Sequence, residues 1–201
     1  MDKIKNFYNN NKKTIIYPTV VMLLICIVIT LALSVTDAVT APKIAEITEK
    51  NTQSAMKAVM KADMYVKCEL EVSKSEAVTY HKAVKDDKVA GYIFTVSEKG
   101  YGGDISVMVS VNPDCTVNTV QILDASNETP GLGQNVTKEE FYGQFEGKGY
   151  GVQTVKGGTK SAENEVDAVT SATISSKAVG RAVNKALGYA EKITHEKGGA
   201  K

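Results

Sequence analysis

Tryptophan is absent from these 201 residues, arginine occurs once, as Arg181, and histidine only as His81 and His195. The three cysteines, Cys26, Cys68 and Cys115, stand far apart with no C-x-x-C pair. A zinc ribbon or a cysteine-ligated iron–sulfur cluster needs closely spaced thiolates, so neither fits within this chain. His81 and His195 stand alone, far apart in the chain, and no metal site is expected. Charge of one sign is also missing: 24 Lys plus Arg stand against 23 Asp plus Glu. No basic block follows the first fifteen residues, so nucleic acid is not an expected partner. Phosphate-loop, dinucleotide and nucleophile-elbow motifs are all absent, and no catalytic residue is nominated. Cys68 and Cys115 can bridge if the domain is exported, while two free thiols fit equally well.

What the sequence does have begins with an apolar run. No charged residue occurs from Thr14 to Thr36, and Val20 to Leu33 (VVMLLICIVITLAL) is almost wholly apolar. A helix needs about 20 such residues to cross a bilayer. A cleaved signal peptide is the rival reading, but its apolar region is usually about 7–15 residues long. Lys3, Lys5, Lys12 and Lys13 precede the run, whereas mixed charges from Asp37 to Lys50 follow it. Positive charge on the leading side predicts a cytoplasmic N-terminus and an exported remainder. In a bacterium that is a single-pass protein of the cell (inner) membrane with its domain outside.

Beyond the run, residues 42–62 have helix-forming composition and are expected to form a stalk or first helix. Then the period changes. Ala77–Val84, Val89–Val96, Ile105–Val111 and Thr116–Leu123 are rich in β-branched and aromatic residues and are separated by polar turns, as in an antiparallel meander. Thr137–Glu140 (TKEE) carries a capping-box signature opening a short helix through Phe145. From Ser175 to Ile193, apolar residues recur at Val179, Ala182, Val183, Ala186, Leu187 and Ala190, the stripe of a helix lying on a sheet. The expected class is α+β: an antiparallel sheet with flanking helices, preceded by one N-terminal transmembrane helix. The segments are 1–13 cytoplasmic, 14–36 transmembrane, 37–62 stalk or first helix, 63–194 extracytoplasmic domain and 195–201 flexible tail.

Three segments depart from core patterning. Asp167–Ser176 (DAVTSATISS) places small and hydroxylated residues just before the last helix. Free N–H groups at a helix start, with the helix dipole, attract an anion, and small side chains let a phosphate approach. An ordinary N-cap is the competing reading, although one cap explains one hydroxyl and not four. Glu128–Gly133 (ETPGLG) forces a turn that either holds Leu132 out against a flat ring or folds it back on the core. The glycines of Gly100–Asp104 (GYGGD) permit close backbone approach, or simply make a hairpin.

Residues 167–173 (DAVTSAT) resemble the D-x-x-[ST]-G-A-T signature of the FMN-binding domain family. The ETPGLG and GYGG segments, and the layout of one span before an exported domain, are similar to the same family, in particular to its G-subunit members from Rnf-type ion-translocating complexes. Ser171 stands where the family carries Gly. The resemblance implies FMN esterified through its phosphate to Thr173 by a separate flavin transferase, one using Mg²⁺. It further implies that Thr170, Ser171 and Ala172 line the phosphate, that Asp167 serves transferase recognition, and that Glu128, Thr129 and Leu132 flank the isoalloxazine; Ser175, a hydroxyl donor of the same run, is a further cofactor-binding candidate. The implied role is an electron-relaying subunit rather than an enzyme on its own, partnered by multi-span membrane subunits of an Rnf-type complex. The C subunit of Na⁺-translocating NADH:quinone reductase, or another membrane-anchored extracellular flavin carrier, shares the motif. A cofactor-free anchored binding domain is the alternative outside this class.

Overall fold

The computed structural model describes residues 12–73, 76–158 and 161–198. Lys3 and Lys5, and the end of the tail at 199–201, lie outside the described residues. The chain divides into two units, Met1–Asn51 and Thr52–Lys201.

In the first unit, helix α1 (Lys12–Val59, which runs on into the second unit) contains the apolar run. It is the one helix among the described residues long and apolar enough to cross a membrane, and its apolar window is wholly unburied. The helix runs on through the segment expected as a stalk or first helix, with Pro42 inside it, as is Pro18. A proline removes one backbone donor, and helical neighbours on both sides carry the chain through. Thr30, Thr36 and Thr40 turn their hydroxyls onto carbonyls four residues back, so each satisfies itself without an outside partner.

The second unit is α+β. Five strands, β1 (Met64–Ser73), β2 (Glu76–Lys85), β3 (Lys88–Lys99), β4 (Asp104–Val111) and β5 (Val117–Asp124), form one antiparallel sheet in sequence order. After them come a short helix α2 (Glu139–Tyr142), a parallel pair β6 (Gln153–Val155) and β7 (Glu165–Asp167), and the long helix α3 (Thr173–Gly198). Strand alternation sends Tyr92, Phe94 and Val96 of β3, with Ile105, Val107 and Val109 of β4, to one face. There they meet Val179, Ala182, Val183, Ala186, Leu187 and Ala190 of α3, all fully buried. The small residues of that stripe let α3 lie close to the sheet. On the opposite face, Ala83, Ile93 and Met108 are covered by Ala55, Met56, Val59 and Met60. The end of α1 is fixed there by Ser110 Oγ and Asn118 Nδ2, which donate to the Val59 carbonyl at 2.9 and 2.7 Å.

Two sequence expectations are corrected. Residues 64–73 form a full edge strand that composition had not marked. The TKEE box does not close: Thr137 Oγ1 donates to Gln134 O within a 3-10 turn (Gly133–Thr137), and Lys138 caps α2 without a side-chain bond. The hydroxyl has already been taken by the preceding turn. A second 3-10 turn, Gly143–Phe145, then continues the segment to Phe145 as expected. All three cysteines are free thiols.

Candidate functional site

β7 delivers the chain directly into residues 168–172 and then α3. Along this ribbon the hydroxyls separate by role. Ser176 Oγ accepts from Val169 N at 3.0 Å and donates to Ala172 O at 2.9 Å, closing the turn from inside. Ser175 Oγ donates to Glu128 Oε2 at 2.5 Å. Thr173, at the first residue of α3, is exposed, and no hydrogen bond among the described residues engages its hydroxyl. The backbone N–H groups of that first turn have no partners within the helix. A free hydroxyl thus stands at the positive end of a 26-residue helix.

Ser171 turns the chain into α3 with φ +62°. The left-handed conformation that glycine allows is therefore kept by a serine, at a cost of about 1–2 kcal/mol. Ser171→Gly is expected to stabilise the domain by about 1 kcal/mol, the gain being trimmed by glycine's extra freedom when unfolded. In a thermal melt that is a rise of about 2–4 °C. A fall would mean that the serine side chain makes a contact worth more than the strain.

Beside Thr173 lies a cleft of about 540 Å³ lined by Tyr101, Glu128, Thr129, Leu132, Gly133 and residues 171–175. Leu132 is 43 % exposed and does not fold back on the core; Tyr101 and Ile174 share its rim at 71 % and 53 %. Gly131, at φ +74°, makes the turn that presents Leu132, and Asn135 Nδ2 secures it by donating to Gly131 O. Beneath the cleft the Glu128 side chain is buried. Its Oε1 accepts from Tyr101 N at 2.9 Å and Gly102 N at 3.0 Å. Burial pushes the carboxyl up, but the Ser175 hydroxyl and the N–H groups of Gly102, Tyr101 and Gly103 outweigh it and hold the pKa below the usual range.

Seven of the nine residues singled out in the sequence meet at this cleft: Glu128, Thr129, Leu132, Ser171, Ala172, Thr173 and Ser175. Asp167 and Thr170 do not. They line a second hollow of about 350 Å³ on the other side of the ribbon, with Asn135, Lys138, Gln144 and Gly157. Sequence reasoning missed Tyr101, Gly133 and Ile174 as lining residues. Ile174 left a signal, being an apolar residue on the side of α3 away from the buried stripe. Tyr101 left only its place among the glycines.

Residues 100–188 match the FMN-binding domain family. The chain is 31% identical over 182 residues to the G subunit of the Na(+)-translocating ferredoxin:NAD(+) oxidoreductase complex of Acetobacterium woodii, covering 83% of this chain and 87% of that relative. The chain belongs to the FMN-binding domain family. It is also 40% identical over 120 residues to the G subunit of the proton-translocating ferredoxin:NAD(+) oxidoreductase complex of Clostridium ljungdahlii, covering 60% of this chain and 62% of that relative, less than two thirds of its length. Among solved structures, the C subunit of the Na(+)-translocating NADH-quinone reductase from Parabacteroides distasonis superposes with a TM-score of 0.51 at 27% identity, covering 59% of this chain and 63% of that one. NqrC of Shewanella oneidensis gives a TM-score of 0.52 at 24% identity, covering 69% and 71%, and speaks for the fold alone.

The cleft suits this family's cofactor in size and chemistry. Its volume lies within the range of about 300–1,000 Å³ usual for small-molecule sites. Exposed Leu132, Ile174 and Tyr101 offer apolar surface to a flat ring, and the start of α3 offers N–H groups to a phosphate.

Proposed function

We propose that this chain is a membrane-anchored electron relay that holds FMN covalently, through a phosphoester on Thr173, within an Rnf-type ion-translocating ferredoxin:NAD oxidoreductase. The observation that carries the reading is the unengaged, exposed Thr173 hydroxyl at the N-terminus of α3, on the rim of a cleft with apolar walls. Bound there, a flavin supplies reversible electron uptake and release. The protein's share is placement. The first turn of α3 balances phosphate charge, and Leu132, Ile174 and Tyr101 shield a ring from water. A covalent link keeps the local concentration high on the extracytoplasmic side, where a dissociable cofactor is lost by dilution.

The expected topology has residues 1–13 in the cytoplasm, α1 across the bilayer and the α+β domain outside, following the lysine bias. The span carries no charged side chain between Thr14 and Thr36, so ion passage belongs to the multi-span partner subunits. Maturation calls for a separate flavin transferase, since no base among the described residues hydrogen-bonds to Thr173. In this reading such an enzyme recognises Asp167 and Thr170 at the second hollow, where Thr170 is exposed and Asp167 half-buried.

The 27%-identical neighbour from Parabacteroides distasonis favours one second reading, the C subunit of a Na⁺-translocating NADH:quinone reductase; the proteins that co-purify from the native host decide between the two. To test for the cofactor, the full chain is co-expressed with a Mg²⁺-dependent flavin transferase and its intact mass measured. The expected mass exceeds that of the polypeptide by one FMN less one water, and the band fluoresces in a denaturing gel. A colourless chain of unmodified mass sinks the proposal and leaves a tethered, cofactor-free binding domain.

A further inference from the structure

Glu128 is a charged side chain that the domain buries to 2 % exposure, and no cation among the described residues pairs with it. Burying a lone carboxylate is costly unless several donors replace its water. Here the donors come from separate parts of the chain. Tyr101 N and Gly102 N belong to the β3–β4 hairpin, and Ser175 Oγ belongs to the first turn of α3. Glu128 itself opens the turn that presents Leu132. The fit is close: a Cβ added to Gly100 would lie 2.3 Å from Oε1, and one added to Gly133 would lie 2.4 Å from Oε2. Those two glycines are small because the carboxylate occupies the space beside them.

We propose that Glu128 is a positioning residue with two effects: its carboxylate ties the three walls of the cleft into one preformed unit, and it sets a negative charge, unmatched by any cation among the described residues, beneath the bound ring. The second effect rests on the reading that the cleft takes FMN. A glutamine has the same shape and can keep part of the clip, but its hydrogen bonds lack the strength of charge-assisted ones. A fixed negative charge under a flavin opposes the arrival of electrons, so the carboxylate lowers the flavin's reduction potential. The groups hydrogen-bonded to the carboxylate are the Ser175 hydroxyl and the backbone amides of Tyr101 and Gly102, and none of them titrates. Protonation of Glu128 alone therefore loosens the clip.

The test uses the full chain in detergent, prepared with and without a flavin transferase, as wild type and as Glu128→Gln. In the flavin-free chains, thermal midpoints are followed with pH. The folded-state pKa is depressed, so the stability that Glu128 confers is present above the ordinary carboxylate pKa and disappears as pH falls through the depressed value. The gap between wild type and Glu128→Gln is therefore widest near neutral pH and closes in acid. Ser175→Ala, which keeps the charge and removes one donor, moves that acid edge to higher pH. A gap that does not vary with pH overturns the clip. In the flavin-loaded chains, Glu128→Gln is expected to show a more positive midpoint potential at equal flavin content. An unchanged potential overturns the charge effect. A wild-type chain that takes no flavin overturns the reading of the cleft and the charge effect with it, while the pH measurement still decides the clip.

Discussion

Thr173→Val leaves a folded chain with no covalent flavin. Valine has the shape of threonine but no oxygen, so the bond from side chain to phosphorus has nothing to form through. The substitution is gentle in every other respect. Thr173 is exposed, its hydroxyl serves no partner among the described residues, and the turn before α3 is closed by Ser176 instead. Stability is therefore expected to change by no more than about 0.5 kcal/mol. That contrast separates attachment from folding: in-gel fluorescence falls to background while the melting curve stays in place. The neighbouring hydroxyls are poor substitutes. Ser175 and Ser176 are buried and engaged, and Thr170 lines the other hollow. A variant band as bright as wild type moves the attachment to another residue, with Ser171 the nearest exposed hydroxyl.

The parts of this molecule that the sequence discloses are those governed by local periodicity. The stripe from Val179 to Ala190 repeats at helical spacing, and all six of its residues are buried on the sheet. Four strands of the meander stand out through Val, Ile, Tyr and Phe between polar turns. β1 escaped for a compositional reason: Val66, Cys68, Leu70 and Val72 alternate with Lys67, Glu69 and Glu71, charged residues that weaken a strand signal but suit an edge. The alternation itself was there to be counted. Pro42 heads the segment expected as a stalk or first helix, yet it lies inside one long helix with Pro18, since neighbouring turns hold a helix through a single missing donor. The site divides along the same line. The hydroxylated ribbon and the Leu132 turn are contiguous stretches and can be read directly. The Glu128 clip cannot, because its partners lie 26 to 47 residues away and two of them are backbone amides that carry no side-chain signature. In sequence, Glu128 is one more acid before a proline and glycine turn. Tyr101 is likewise defined as a wall residue only once the hairpin closes over that carboxylate.

That dependence predicts a large effect from the smallest substitution at the hairpin, Gly102→Ala. The added Cβ would lie 2.0 Å from the carbonyl oxygen of Asn127 and 3.0 Å from its carbon. Both are backbone atoms of the residue before Glu128, so no side chain can rotate aside. Torsion is not the obstacle, because Gly102 is not among the glycines with positive φ. The hairpin must lift instead, drawing Tyr101 N and Gly102 N away from the buried carboxylate. Overpacking of this kind costs about 1–3 kcal/mol, and each hydrogen bond to a charged group adds about 1.5–3 kcal/mol when lost. A destabilisation of about 3 kcal/mol or more follows, which in a domain of this size lowers the melting temperature by about 6–12 °C. Two other glycines separate space from torsion. Gly131 has nothing within 4 Å of its added Cβ but sits at φ +74°, so alanine there pays only the left-handed strain, about 1–2 kcal/mol. Gly149 has open space and no positive φ, and alanine there is expected to stay within about 0.5 kcal/mol of wild type. The melting temperatures should therefore fall in the order Gly149→Ala, Gly131→Ala, Gly102→Ala. If Gly102→Ala melts with Gly149→Ala, the hairpin has room that the clip geometry denies it, and the cleft is not held shut from below.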